Sequence, residues 1–447
     1  PLAPENIRVG IVGTPRTIEG IQRWLERCQK GITAKPSTHP NLFPRFPGFG
    51  TDTIFQASLV TDSQLHRSIF ESEFEQLASN SSTDQSIRSA AQMFLTELEY
   101  LAHNTNANVL ICAMPMCLLD MIERGRRRQD EHPADTDDTE EDKLNFHDLL
   151  KARAMALQKP TQLTWPMTYD DTRRRRQKGR PERVRQLQDE ATRAWNFHIA
   201  LYYKAGGKPW RLTRMPSDLT TCYIGVGFYK TLDESRLLTS VAQVFNERGD
   251  GVIVRGAVAT LSKDDLQPHL RAEDAYDLLN SALEMYRAEH HTLPARIVLH
   301  KTSIHNAEEL DGFNEAARSQ RVYSADLISV TSTSTRLFRT GAYPPLRGTL
   351  LSLDEQTHVL YTRGSVDFFA VYPGMYVPRP LLFRCDHTEQ TPRFLAQEIL
   401  ALTKMNWNNT QFDGAEPITT RAARQVGAIL KYVEDDQVIQ PRYSYYI

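Results

Sequence analysis

Residues 7–13 read IRVGIVG, a short apolar run closed by glycine, and Thr17–Ile32 behind it repeats apolar residues at helical spacing, at Ile18, Ile21, Trp24 and Leu25. A buried strand running into an amphipathic helix is the opening unit of an α/β fold. Working outward, residues 33–53 (TAKPSTHPNLFPRFPGFGTDT) are rich in proline and glycine and read as an ordered connector. The serines and aspartate at 79–85 open a helix expected to run to Tyr100, and Asn108–Met114 (NVLICAM) reads as a second buried strand.

Past Pro209 a new set of elements begins. Strands are expected at Cys222–Tyr229, Gly251–Leu261, Arg296–His300, Asp326–Thr331 and His358–Tyr361. Helices are expected at Asp274–His290, Asn306–Arg318, Pro392–Met405 and Thr419–Glu434. Strands before, between and after helices predict a mixed sheet flanked by helices. The helix break at residues 205–212 (AGGKPWRL) places the boundary, giving domains over 1–208 and 209–447. No internal repeat is present.

Composition bounds the class. The 447 residues are enough for two or three domains, and 40% apolar with 24% charged residues describes a globular chain rather than a disordered one. No run approaches the ~18 apolar residues of a transmembrane helix, and PLAPENIRVG lacks a basic region followed by an apolar stretch. Five widely spread cysteines, an odd number in mostly apolar surroundings, predict buried free thiols and a cytoplasmic location. With 53 Lys and Arg against 55 Asp and Glu the net charge is −2, so a polyanion would have to be held by a local concentration of basic groups.

Two segments depart from that average. Asp130–Asp142 carries eight acids and reads as a solvated loop. Arg173–Arg185 carries eight Arg or Lys at the start of a helix expected to continue through Tyr203, either as a solvated face or as a nucleic-acid contact.

The chemistry-bearing motifs are mostly negative. There is no Walker motif, no G-x-G-x-x-G after a strand, no C-x-x-C and no H-E-x-x-H, and the histidines at 290, 291, 300 and 305 match no common zinc spacing. The positive signal is a polar set between residues 145 and 208. His147 and Lys151 are one helical turn apart, Thr161 and Gln162 open a strand after a proline, and Lys204 ends the next helix before Gly206-Gly207. Such donors on separate elements could converge on a phosphate. Spacing alone equally allows surface lysines and a capping glutamine.

The ordered segments FHDLLKARAMALQKPTQ (146–162), FHIALYYKAGGKPWRL (197–212), CYIGVGFYK (222–230), IVLHKTSIHNAEE (297–309), YPGMYVPRPLLFR (372–384) and LTKMNWNNTQFDGAEPITTRAARQVGAILKYV (402–433) resemble landmarks of the MID and PIWI domains of prokaryotic Argonautes. The length resembles the short branch, which lacks N and PAZ domains. The resemblance implies a Rossmann-like MID domain over 1–208 and an RNase H-like PIWI domain over 209–447. It implies that His147, Lys151, Gln162 and Lys204 bind a guide strand's 5′-phosphate, with one Mg²⁺ shared between the phosphate, Gln162 and the carboxylate of Ile447. Histidine stands where the family more often has tyrosine.

Active PIWI domains hold two metal ions with carboxylates at three places, and this chain offers Gly227, Thr302 and Arg424 there, with Ser303 and Ala423 beside them. A catalytically inactive binding module is therefore expected. The resemblance further implies an RNA guide, a single-stranded DNA target, and a heterodimer with an APAZ-containing effector (a sirtuin-like or TIR NADase, or a nuclease) in defence against plasmids or phages. The alternative is an active nuclease drawing on Asp264, Asp265, Glu308, Glu309 or Asp413. Arg173, Arg174, Arg255, Lys301 and Arg379 are expected near the nucleic-acid backbone.

Overall fold

The computed structural model describes residues 4–80, 83–131, 144–170, 188–213, 218–245, 251–338, 344–369, 372, 377–410, 414–434, 437 and 439–447. The expected contacts Arg173 and Arg174, the alternative ligand Asp413 and most of the acidic segment lie outside them. The chain divides into one unit of Pro1–Pro209, Asp435–Ile439 and Ile447, and another of Trp210–Glu434 and Gln440–Tyr446. The expected second domain, 209–447, therefore needs correction at its C-terminal end. Gln437 Nε2 donates to Ala152 O at 3.3 Å and Lys151 Nζ donates to Ile447 O, which ties both tail pieces to the first unit.

The first unit is a parallel sheet. Strands β1 (Asn6–Gly13), β2 (Ser58–Val60), β3 (His66–Ser68), β4 (Val109–Ala113) and β5 (Thr161–Thr164) pair in the order β2-β1-β4-β5, with β3 also on β1. All of these pairings are parallel. Parallel strands need crossovers, and α1 (Pro15–Gln29), α2 (Glu71–Asn80), α3 (Thr83–Asn104), α4 (Met116–Glu131) and α5 (Phe146–Ala154) lie in them, while the short α6 (Pro166–Tyr169) and α7 (Glu190–Lys204) follow the last strand.

Side chains alternate across a strand, so Gly10 and Gly13 of β1 face opposite ways. A Cβ on Gly10 would stand 3.2 Å from Leu101 of α3, and one on Gly13 would stand 2.5 Å from Thr17 of α1. The two helices thus cover opposite faces. β4 is wholly buried, which matches its unbroken apolar sequence.

The proline-rich connector is held by aromatic packing. Phe46 and Phe49 lie 4.9 and 5.1 Å, centroid to centroid, from His198 of α7, and Trp195 Nε1 donates to Arg45 O at 3.0 Å. These contacts fix α7, whose last residue is Lys204.

The second unit holds a mixed eight-stranded sheet. Its strands are β6 (Thr221–Lys230), β7 (Leu237–Phe245), β8 (Gly251–Val258), β11 (Arg296–Lys301), β12 (Ser324–Ser332), β13 (Leu350–Ser352), β14 (Thr357–Leu360) and β15 (Leu381–His387). The small pair β9 (Thr260–Leu261) and β10 (Pro268–His269) stands apart. The order is β13-β14-β15-β12-β11-β6-β7-β8, an antiparallel meander β6-β7-β8 followed by β11 and β12 parallel to β6. Helices α8 (Ala272–His290) and α9 (Ala307–Ser319) pack with β6, β11 and β12 in one apolar core that includes Ile224, Leu279, Leu299, Phe313 and Leu327. Helix α10 is Pro392–Leu402 and α11 is Ile418–Leu430. A Cβ on Gly225 would fall 2.1 Å from Thr419 O, so only glycine lets α11 lie this close to β6.

The fold is thus α/β, with one parallel sheet, one mixed sheet and the small antiparallel pair β9-β10 among the described residues. All five cysteines are unpaired and four are buried. Among the described residues no helix is long and apolar enough to cross a membrane.

Candidate functional site

Lys151, Gln162, Lys204 and Ile447, far apart in the chain, come together in the first unit, whereas the His147 ring is bonded to Asp148. Asn145 caps α5, its Oδ1 accepting the His147 N–H at 3.0 Å, and the helix then carries Lys151 inward one turn later. A tight turn follows α5, in which Gln158 adopts φ 53, and the chain re-enters the sheet as β5. Gln162 is its second residue.

Helix α7 is capped by Asp189, which accepts from the Thr192 N–H at 3.1 Å, and ends at Lys204. Its exit needs two glycines for different reasons. Gly206 takes φ +94, and a Cβ on Gly207 would sit 2.3 Å from the Tyr202 ring.

Lys151 is 2% and Lys204 4% exposed. Lys151 Nζ donates to Thr161 O at 2.9 Å and to Ile447 O, while Lys204 Nζ donates to Gln162 Oε1. Gln162 Nε2 in turn donates to Leu163 O at 3.1 Å. Neither lysine meets a side-chain carboxylate among the described residues.

Burial pushes Lys151 down to about 8, and it pushes Lys204 well below the usual lysine range, with the charge of Lys151 adding to the effect. His147 is lowered as well, first by burial, while its Nδ1 lies 2.7 Å from Asp148 Oδ1. The Cys112 thiol of β4 is pushed up to about 12 by burial, against the pull of both lysines.

This is a pair of buried ammonium groups whose acceptors are neutral amide oxygens and the oxygen of Ile447. Uncompensated buried cations are costly, and an arriving anion would relieve that cost. The two oxygens expected to hold Mg²⁺, on Gln162 and Ile447, both accept from a lysine. As arranged, the cluster suits an anion, and a cation alone does not fit it.

The sequence reading missed the Thr161 carbonyl and Cys112. The first could have been inferred from its place beside Gln162, whereas nothing marked the second.

The expected backbone contacts separate. Arg379 is exposed, and Arg255 is half-buried on β8, its charge felt by the Tyr446 phenol. Lys301 requires correction. It is wholly buried, and its Nζ lies within reach of Glu309 Oε2 at 2.9 Å, Ile304 O at 2.9 Å and Pro268 O at 3.3 Å. With all three hydrogens so occupied, it has none for a nucleic acid.

At the degenerate positions, Gly227 lies in β6, Thr302 donates its N–H to Val226 O at 3.0 Å, and Arg424 pairs with Glu416 at 2.7 Å. Thr419 is what α11 presents to the sheet, its Oγ1 standing 2.8 Å from His300 Nδ1. Of the alternative acids, Asp264, Asp265 and Glu308 are exposed. Glu309 caps α9 with Asn306 and is bound to Lys301, His269 and the Leu270 N–H. Among the described residues no group of three His, Cys, Asp or Glu could hold a metal ion.

No protein-family model matches the chain, and no curated protein matches it. Solved structures do. Clostridium butyricum Argonaute, bound to a guide DNA with a 5′ deoxycytidine and a 19-mer target DNA, matches with a TM-score of 0.59 at 14% identity, over 98% of this chain and 50% of that one. A. aeolicus Argonaute matches with a TM-score of 0.56 at 13% identity, over 98% of this chain and 49% of that one. The chain spans about half the length of both, and its fold is Argonaute-like.

Proposed function

We propose that the chain binds the 5′-phosphate of a guide strand through Lys151, Lys204, Gln162 and His147, and presents that guide to a complementary strand. The observation behind this reading is the pair of buried ammonium groups to which no side-chain carboxylate is bonded among the described residues. A phosphate dianion offers them an opposite charge as well as acceptor oxygens, which the present amide oxygens do not. The Argonaute-like fold supports the same reading, and one protein sharing that fold holds a guide and a target. A divalent ion belongs to this scheme only as a companion of the bound phosphate, with Gln162 and Ile447 adding oxygens once the lysines turn to the phosphate.

The guide is RNA and the target single-stranded DNA, by resemblance to the short branch of the family. Base pairing then supplies sequence specificity while the protein holds backbone and 5′ end. The second unit does not cut. Two adjacent divalent ions need several carboxylates, and Gly227, Thr302 and Arg424 supply none. Target recognition is instead passed to an APAZ-containing effector in a partner subunit, an NADase or a nuclease, in prokaryotic defence.

Two assays test this. A guide RNA with a 5′-phosphate should bind more tightly than the same strand with a 5′-hydroxyl, and equal binding would remove the proposed role of the lysines. Incubation with guide, complementary target and Mg²⁺ or Mn²⁺ should leave the target intact. A guide-dependent product would restore the nuclease alternative.

A further inference from the structure

The second unit carries exposed aromatic rings at one end of its sheet, and the function proposed above does not use them. β12 runs parallel to β11 and β6, so it finishes toward the end at which Thr302 leaves β11, level with Gly227 of β6. β15 begins and β14 finishes there too, because Leu381 stands opposite both Ser332 and Leu360. The register thus gathers the described parts of 333–349 and 361–380 into one loop cluster at that end of the sheet.

The two loops are pinned to each other. The Leu337 N–H donates to Oη of the buried Tyr361 at 2.8 Å, the Ser365 N–H to Pro345 O at 3.0 Å, and the Arg347 N–H to Ser365 O at 3.0 Å. A Cβ on Gly364 would stand 2.3 Å from Pro345 O, so only glycine permits this approach. On this anchored backbone Phe338 is 81% and Phe368 68% exposed. Rings held outward by a pinned backbone offer stacking surface at little ordering cost.

The charge around them selects the occupant. Arg336 and Arg379 are exposed and Arg363 is half-buried on the same loops, while Arg347 turns inward to Thr403 Oγ1 at 2.7 Å. The one acid among the described residues of these loops is Asp367. Arg336 folds back on its own turn, donating to Thr333 O at 3.1 Å and Thr335 O at 2.9 Å, and pairs with no carboxylate among the described residues. Rings interleaved with guanidinium groups match a single nucleic-acid strand, whose bases stack on the rings while its phosphates meet the arginines. A duplex interior keeps its bases covered, so the rings suit unpaired ones.

We propose that Phe338 and Phe368, with Arg336, Arg363 and Arg379, form a platform that stacks unpaired bases of the target strand beyond its paired region. Naming the target strand rests on the guided recognition proposed above, whereas the stacking itself does not.

A short oligothymidylate with a 5′-hydroxyl is titrated into the full chain by fluorescence anisotropy, beside an abasic strand of the same length that keeps the phosphates and lacks the bases. The native chain should prefer the strand with bases. Phe338→Ala/Phe368→Ala should weaken that strand roughly ten-fold or more and abolish the preference. Because both rings are exposed, the variant should keep the native denaturant midpoint. Equal binding of the two strands by the native chain, or an oligothymidylate affinity that survives the double change, would overturn the proposal, including the case in which the rings serve a protein partner.

In a second arm the chain carries a 5′-phosphorylated guide and binds a complementary target with or without an unpaired extension. The extension should tighten binding to the native chain and not to the variant, and an equal effect on both would overturn the proposal. If the guide shows no preference for its 5′-phosphate, the guide reading fails, and the oligothymidylate arm still decides the platform.

Discussion

The two units bury their cations in opposite ways. In the second unit the two deeply buried cations among the described residues, Lys301 and Arg296, each have a carboxylate. Lys301 meets Glu309 at 2.9 Å, and Arg296 meets Glu398 at 2.7 Å and Asp326 on its other side. Burial works against the charge of Arg296, but the two carboxylates outweigh it and hold the guanidinium above its usual range. In the first unit Lys204 is as deeply buried and has only the amide oxygen of Gln162, while Lys151 has the Thr161 carbonyl, the oxygen of Ile447 and a more distant attraction to Asp148. A matched buried pair specifies the fold, whereas an unmatched one is a cost the fold keeps for a ligand.

The largest difference between the two units should appear in stability. Lys301→Met leaves Glu309 buried without its cation and should cost about 3–5 kcal/mol in denaturant unfolding, with much of the loss recovered in Lys301→Met/Glu309→Met. A loss under about 1 kcal/mol would mean that the pair is not the matched structural element described. Lys204→Met should do the reverse, leaving stability unchanged or raising it by roughly 1–3 kcal/mol, because it removes a poorly compensated buried charge. Strong destabilisation would show that Lys204 is structural after all.

A smaller effect should appear with pH. Lys151 sits at about 8 in the folded chain against an ordinary 10.5, so between those values the unfolded state binds more protons. Stability should therefore rise with pH across that window and level off below it, and Lys151→Met should lose the slope. Affinity for a 5′-phosphate should fall over the same window as the ammonium discharges. The smallest change is expected at Arg379, exposed and unpaired with any acid among the described residues. Arg379→Ala should flatten the salt dependence of guide binding by about one phosphate contact, and an unchanged slope would place it away from the backbone.

Much of this was legible in the sequence, and the parts that were not have physical reasons. The glycine-ended run at 7–13 marks β1, and NVLICAM marks β4, because buried parallel strands are continuous apolar runs. β2 and β3 are three residues each, too short for any periodicity to emerge. The helix expected from Arg173 begins at Glu190 among the described residues, where Asp189 supplies the cap.

In the site, Lys151, Gln162 and Lys204 were named from the sequence and do converge, although local spacing could not show that each is buried. Lys301 misled because a cation at a strand end reads as exposed. The signal that would have corrected it was Asn306-x-x-Glu309, a capping box that turns a carboxylate inward toward that lysine. The rings of Phe338 and Phe368 left no motif, since the loops that carry them are brought together by the register of the sheet.

The buried lysines are held ready for a phosphate. The most direct test of that readiness is the affinity of one guide strand, with and without its 5′-phosphate, for the native chain and for Lys204→Ala. The native chain should prefer the phosphorylated strand, and the variant should lose about 1.5–3 kcal/mol with that strand and little with the other. An equal loss with both strands would contradict it.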